Sequence, residues 1–405
     1  MLSPLIQARS VTMNDLSAFR VQHLVLLVGT NPLPNYVAAL LLAAEQGDVY
    51  LLHTANTLQV AERLSAQIHK KRHDLTFIPW EIHKSDPQRI EQQMKRLARK
   101  LGPNAQVGLN YTGGSKPMAV QSYHSLRTAF PRGIFSYLDA DTLSLVIEAP
   151  GLPTQQIFVG QSVAVDFETL FALHDYEIPH PRQEAKQPQF CRSLVDVHLT
   201  SQGMRDWYTW RRTLSQAAPL LPGAAQYPTL RPVIEAFVDL SQGQTPLEDG
   251  VAKALGFTSL RSCADFFKGK WLEEYAFDAL ASQTEVLKLR DWGIGLQPQK
   301  PGQRPFELDI AAIRGYQLFA ISCMATDRAA KAKEHLLEVF VRARQIGGDE
   351  ARFAVVCLVD NYQALQDEVS ETWNAQDKIR VFGREHLPDL AQHFQEWITT
   401  ASQIR

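Results

Sequence analysis

From Val21 the chain alternates short, continuously apolar runs with amphipathic stretches of helical period. The run VQHLVLLVG (21–29) ends in the loop GTNPLPN, and the following stretch YVAALLLAAEQG predicts a helix. Strands are predicted at 48–54, 74–82 and 105–113, with helices at 56–71, 86–102 and 116–130. Uninterrupted apolar strands are buried on both faces, and helices between them supply the cover, so the pattern predicts a doubly wound parallel sheet. The segment GIFSYLDADTLSLVIEA (133–149) predicts a hairpin closing one edge of that sheet.

The pattern changes around 178–190, where IPHPRQEAKQPQ is proline-rich and polar and predicts a linker. Residues 191–260 predict mostly helix, with turns at LLPG, YPTLRP and SQGQTPLEDG. A second α/β unit is predicted from 261, with helices at 269–282, 327–348 and 387–401 and a strand at 352–359. Between the first two helices, GQRPFELDIAAIRGYQLFAISCMATD (302–327) reads as two strands around a Gly315–Tyr316 turn. With a two-residue loop, position 314 pairs with 317 and so on outward. Asp309 then lies opposite Ser322 and Glu307 opposite Met324, all on one face. The expected organisation is 1–177, 178–260 and 261–405, with 1–20 an unplaced arm.

Composition narrows the function classes. The chain has 405 residues, 45% hydrophobic and 21% charged, with a formal net charge of −2. That is an ordinary globular balance without the basic excess of a dedicated duplex-binding protein. Cys191, Cys263, Cys323 and Cys357 show no metal-ligand spacing, and reduced thiols fit a cytoplasmic protein. No N-terminal stretch has the layout of a signal peptide, and VAALLLAA is too short to span a bilayer, so no membrane partner is expected. His69 and His73 stand four apart in HKKRH, which reads as a solvated basic helix end rather than a site, and no GxSxG is present.

Two loops carry candidate binding chemistry. GTNPLPN offers Gly29, Thr30, Asn31 and Asn35 after the first strand. TGGSK offers Thr112, Gly113, Gly114, Ser115 and Lys116 after the fourth, running straight into a helix. Glycines allow close backbone approach, and a helix start with Ser and Lys adds N–H groups, a hydroxyl and a positive charge, a combination suited to phosphate. The pair of loops resembles the CARF domain of CRISPR-associated proteins. That resemblance implies a Rossmann-like sensor holding cyclic oligoadenylate across a homodimer's two-fold axis.

In the second half, GKWLEEYAFDALAS carries Glu273, leaning toward the packed face, and Glu274, nearer to solvent. A helix with Glu, a strand with Asp309, a further strand and a helix resemble the PD-(D/E)XK nuclease fold, and the whole order resembles the CARF–PD-(D/E)XK nucleases of type III CRISPR systems. The resemblance implies Mg²⁺ or Mn²⁺ held by Glu273 or Glu274 with Asp309, and single-stranded or duplex nucleic acid as substrate. It also marks a departure: the family's (Asp/Glu)-x-Lys falls on Ser322-Cys323-Met324. A serine is a poor ligand for Mg²⁺, and a thioether carries neither charge nor proton donor. The expectation is a cyclic oligoadenylate sensor, cyclic tetra-adenylate above all, whose nuclease site is weakened or lost. Two alternatives stand beside it. One is an active metal-dependent nuclease using Glu273, Asp309 and a migrated group from Glu307, Arg328, Lys331 or Lys333. The other is a metal-independent ring nuclease that cleaves the messenger in the first pocket.

Overall fold

The computed structural model describes residues 13–211, 226–233, 235, 257–303, 306–373, 375 and 377–402. The predicted turns at 220–223 and 241–250, and the start of the N-terminal arm, lie outside the described residues.

The first sheet has seven strands: β1 (Val21–Leu27), β2 (Ala43–His53), β3 (Thr76–Glu81), β4 (Val107–Asn110), β5 (Ile134–Asp139), β6 (Ser144–Glu148) and β7 (Gln155–Phe158). Their order is β3-β2-β1-β4-β5-β6-β7. The first five are parallel and the last two antiparallel. Alternate residues of β1 feed two different cores, Leu24 and Leu26 one and Val25 and Leu27 the other, which is why the strand reads as unbroken apolar sequence.

The first helix differs from the expectation. It spans Leu33–Leu42 and opens inside the predicted loop, because Pro32 and Pro34 suit a first turn whose N–H groups have no helical partner. It also ends sooner. Ala43–Gly47 join β2 instead, with a register shift between the Val21 and His23 pairs and Gln46 at a φ of 54°. Strand β7 was not foreseen, since a short edge strand reading QQIF lacks an apolar signature.

The second sheet contains β8 (Asp291–Leu296), β9 (Leu308–Arg314), β10 (Gln317–Met324), β11 (Arg352–Cys357) and β12 (Ile379–Phe382), in the order β12-β11-β10-β9-β8. The hairpin register is the predicted one, with Arg314 opposite Gln317 and Ile310 opposite Ile321. Gly315 takes a φ of 63° in the turn, as a two-residue hairpin requires. Alternation along β10 sends Phe319, Ile321 and Cys323 toward the helix Trp271–Ala281, and Leu318 and Ala320 toward the helix Ala329–Gly347.

The two sheets are not separate bodies. One apolar core runs from Leu24, Leu143 and Phe171 of the first half to Ile313, Leu318 and Leu336 of the second. The Val165 amide donates to the Gly315 carbonyl at 2.9 Å, and Lys378 pairs with Asp141 at 3.0 Å. The stretch predicted as a linker is pinned as well: Glu177 bridges to Gln299, Arg182 bridges to Ile294, and a helix begins at Pro188.

Candidate functional site

In the first sheet the chain leaves β1 for β2 on one side, while β4 lies on the other, so the loops after β1 and β4 flank the switch point where α/β sheets take ligands. The two predicted loops do meet there. A Cβ on Gly29 would lie 3.0 Å from the Gly114 nitrogen, and one on Gly113 would collide with the Leu27 carbonyl oxygen. Gly114 has a φ of 76°, so both glycines of TGGSK are required by the backbone itself.

The candidate ligand residues divide by role. The Asn35 side chain is fully buried and donates through Nδ2 to the Leu27 carbonyl at 3.1 Å, fastening the loop from beneath. Thr112 Oγ1 accepts from the Leu138 amide at 2.7 Å and ties β4 to β5. Ser115 caps the helix Lys116–Ala129, accepting from the Met118 amide at 3.4 Å and donating to the Lys84 carbonyl. Asn31 accepts from the Leu33 amide at 3.1 Å, and its amide nitrogen lies where a Cβ on Gly348 would stand, so this loop abuts the second half of the chain. Thr30, Gly114 and Lys116 are the exposed members. The open surface therefore consists of a hydroxyl, a lysine and a helix N-terminus, a cationic rim over backbone-built walls.

The second site lies at the mouth of the hairpin. Asp309 Oδ2 accepts from Ser322 Oγ at 2.9 Å and from the Cys323 amide at 2.8 Å, so the predicted Asp309–Ser322 juxtaposition is present. Glu307 is exposed and lines a cleft with Glu273, Glu274, Lys186, Lys270 and Gly295. Burial first, and then the charge of Asp309, push the Glu273 carboxyl up to about 8. Asp309 is also raised, chiefly by burial with Glu307 adding to it, while its hydrogen bonds and His335 pull the other way. Cys323 is a buried thiol, held well above its usual range by burial and by Asp309 and Glu273.

The assignment of Glu274 is corrected. It does not point nearer to solvent but is buried, 6% exposed, with Arg182 Nη2 at 2.5 Å, Arg182 Nη1 at 2.9 Å and the Lys186 amide at 2.7 Å. It is a structural ion pair that anchors the 178–190 stretch, while half-buried Glu273 faces the cleft. Of the expected compensators, Glu307 lines the cleft. Lys333 pairs with Glu368, and Lys331 and Arg328 are exposed outside the cleft lining. Sequence reasoning missed Lys270 and His335, whose charges act on Glu273 and Asp309. Lys270 was open to detection, lying one helical turn before Glu273 in GKWLEE.

A parallel-sheet domain with glycine loops at its switch point is joined to a second sheet and helix that bring Glu273 and Asp309 together, the two-part α/β architecture that the resemblance implied. Residues 261–401 match the family described as Card1-like, endonuclease domain. Among solved structures, Can2 from Sulfobacillus thermosulfidooxidans in complex with cyclic tetra-adenylate is 17% identical, with a TM-score of 0.67, covering 96% of this chain and 99% of its own. Protein VC1899 from Vibrio cholerae is 15% identical, with a TM-score of 0.68, covering 95% and 99%. The fold is thus shared along nearly the full length of both. No curated protein matches the chain. Among the described residues no helix is long and apolar enough to cross a membrane.

Proposed function

We propose that the chain is a cyclic oligoadenylate sensor of type III CRISPR defence, working as a homodimer, with an endonuclease-type effector domain whose cutting site is weakened. The observation that carries the sensor reading is the meeting of the two glycine loops at the β1/β4 switch point. Can2, which shares the fold, was solved with cyclic tetra-adenylate, and this supports the same ring as ligand. In the proposed complex, Lys116 and the amides opening the helix Lys116–Ala129 take ring phosphates, and Thr30 contacts the ribose or base side.

In the effector domain, Glu273 and Asp309 are the carboxylates suited to a divalent cation. Mg²⁺ is commonly held by one or two carboxylates, with water and phosphate completing its shell, so the donor set fits Mg²⁺ or Mn²⁺. Among the described residues no group of three or more His, Cys, Asp or Glu side chains is arranged for a metal. When bound, such an ion would neutralise phosphodiester charge and activate water. Ser322 instead spends its hydroxyl on Asp309, and Met324 brings no charge, which supports a weakened rather than a fully equipped site.

The test is calorimetric binding of cyclic tri-, tetra- and hexa-adenylate to wild type and Lys116→Ala, with cleavage of ring, RNA and plasmid followed with and without Mn²⁺. Tetra-adenylate is expected to bind most tightly and Lys116→Ala to weaken it. Absence of binding by every ring ends the sensor reading. Ring cleavage that EDTA leaves untouched would move the chemistry to the first pocket.

A further inference from the structure

A cleft that cuts phosphodiesters needs positive charge where the phosphate sits, because carboxylates alone repel it. The groups at the end of β10 do not provide that charge, yet the adjoining turn does. Phe266–Lys270 form a π turn leading into the helix Trp271–Ala281, a local departure from α geometry frequently found at functional sites. The turn lies against the strand end: a Cβ on Gly269 would be 4.0 Å from the Ala325 Cβ, one residue beyond Met324. The next residue, Lys270, stands one helical turn before Glu273 and is exposed. It lines the cleft of about 190 Å³ together with Glu273 and Glu307. The neighbouring Arg182 is already engaged by Glu274.

We propose that Lys270 is a catalytic residue of the effector cleft, supplying from the helix the cation that Met324 cannot supply from the strand. This deepens the reading of the effector domain given above and rests on it. In the reaction, a water oxygen bonds to phosphorus as the bond to the leaving oxygen breaks. The water's proton passes to bulk solvent, and the leaving oxygen takes a proton from solvent. Lys270 stays protonated throughout and pairs with the non-bridging oxygens as their negative charge grows.

The test uses full-length protein with Mn²⁺ and cyclic tetra-adenylate, supercoiled plasmid and single-stranded RNA as substrates, and ring binding measured in parallel. Lys270→Met is expected to slow cutting about 100-fold, the scale for losing one preorganised group that stabilises transition-state charge, with ring affinity and melting temperature unchanged. Lys270→Arg should stay within about 10-fold of wild type, since it keeps the charge. Adding Met324→Lys to Lys270→Met should restore cutting, a rescue that no purely structural role predicts. Cutting by Lys270→Met at the wild-type rate overturns the proposal. So does a wild type that binds the ring and cuts neither substrate, which leaves the sensor reading standing. If the ring does not bind at all, the sensor reading falls, and Lys270 is judged by the same variants on ring-independent cutting.

Discussion

The two sites are built from opposite materials. The loops at the first sheet are made of backbone: Gly113 and Gly114 shape the wall, and Asn35, Thr112 and Ser115 spend their polar atoms holding it in place. The cleft at the second sheet is made of charge: Glu273 and Asp309 are carboxylates raised by burial, with Glu307 alongside. The first site is preorganised, with the buried Asn35 Oδ1 left without a hydrogen-bond partner. The second holds like charges whose mutual cost falls when a cation or a proton arrives.

The contrast is sharpest at neighbouring residues of one helix. Glu274 is a paired buried carboxylate, so Arg182→Met should cost roughly 3–5 kcal/mol by stranding it, read from chemical denaturation. A loss below about 1 kcal/mol would show that solvent reaches Glu274. Gly113→Ala tests the backbone-built site. With a collision against the Leu27 carbonyl, a loss of roughly 2–4 kcal/mol and of ring binding is expected, measured by thermal melting and calorimetry.

Glu273 gives the pH signature of the charged site. Its folded-state value of about 8 lies above the ordinary 4.5, so the folded protein binds the proton more tightly than the unfolded chain. Stability then falls as pH rises from about 4.5 to 8 and is lowest, for this group, above that window. Glu273→Gln should remove that fall, melting above wild type at pH 9 and near it at pH 5. Mn²⁺ should raise the wild-type melting temperature at pH 9 and leave Glu273→Gln unmoved; an equal rise in both would place the cation elsewhere. The smaller effect is Ser322→Ala, which removes one hydrogen bond to Asp309 and should cost about 1 kcal/mol. The smallest is Lys331→Ala, expected within about 0.5 kcal/mol of wild type and without effect on cutting.

Legibility in the sequence followed the same division. The parallel strands, the helix start after TGGSK and the hairpin register were readable because each rests on local rules: apolar runs, a helix start and a two-residue turn. The short edge strands β7 and β8 were not, since QQIF and DWGIGL offer few apolar positions. The placement of Glu274 was misjudged because its partner, Arg182, is 92 residues away in a stretch that reads as linker. Helical phase alone cannot rank two adjacent carboxylates when a distant arginine decides which is buried. Asn31 carried no sign of its second neighbour, Gly348, because that contact joins the two halves of the chain.

That junction has a consequence for modularity. Asn31 beside Gly348, Gly315 tied to Val165 and a core shared from Leu24 to Leu336 make the halves halves of one object rather than beads on a string. Transplanting the first half onto another second domain would strip Leu318, Leu336 and Ile313 of their cover and bare an apolar face. Exchange between such proteins would succeed only when both sides of the seam travel together.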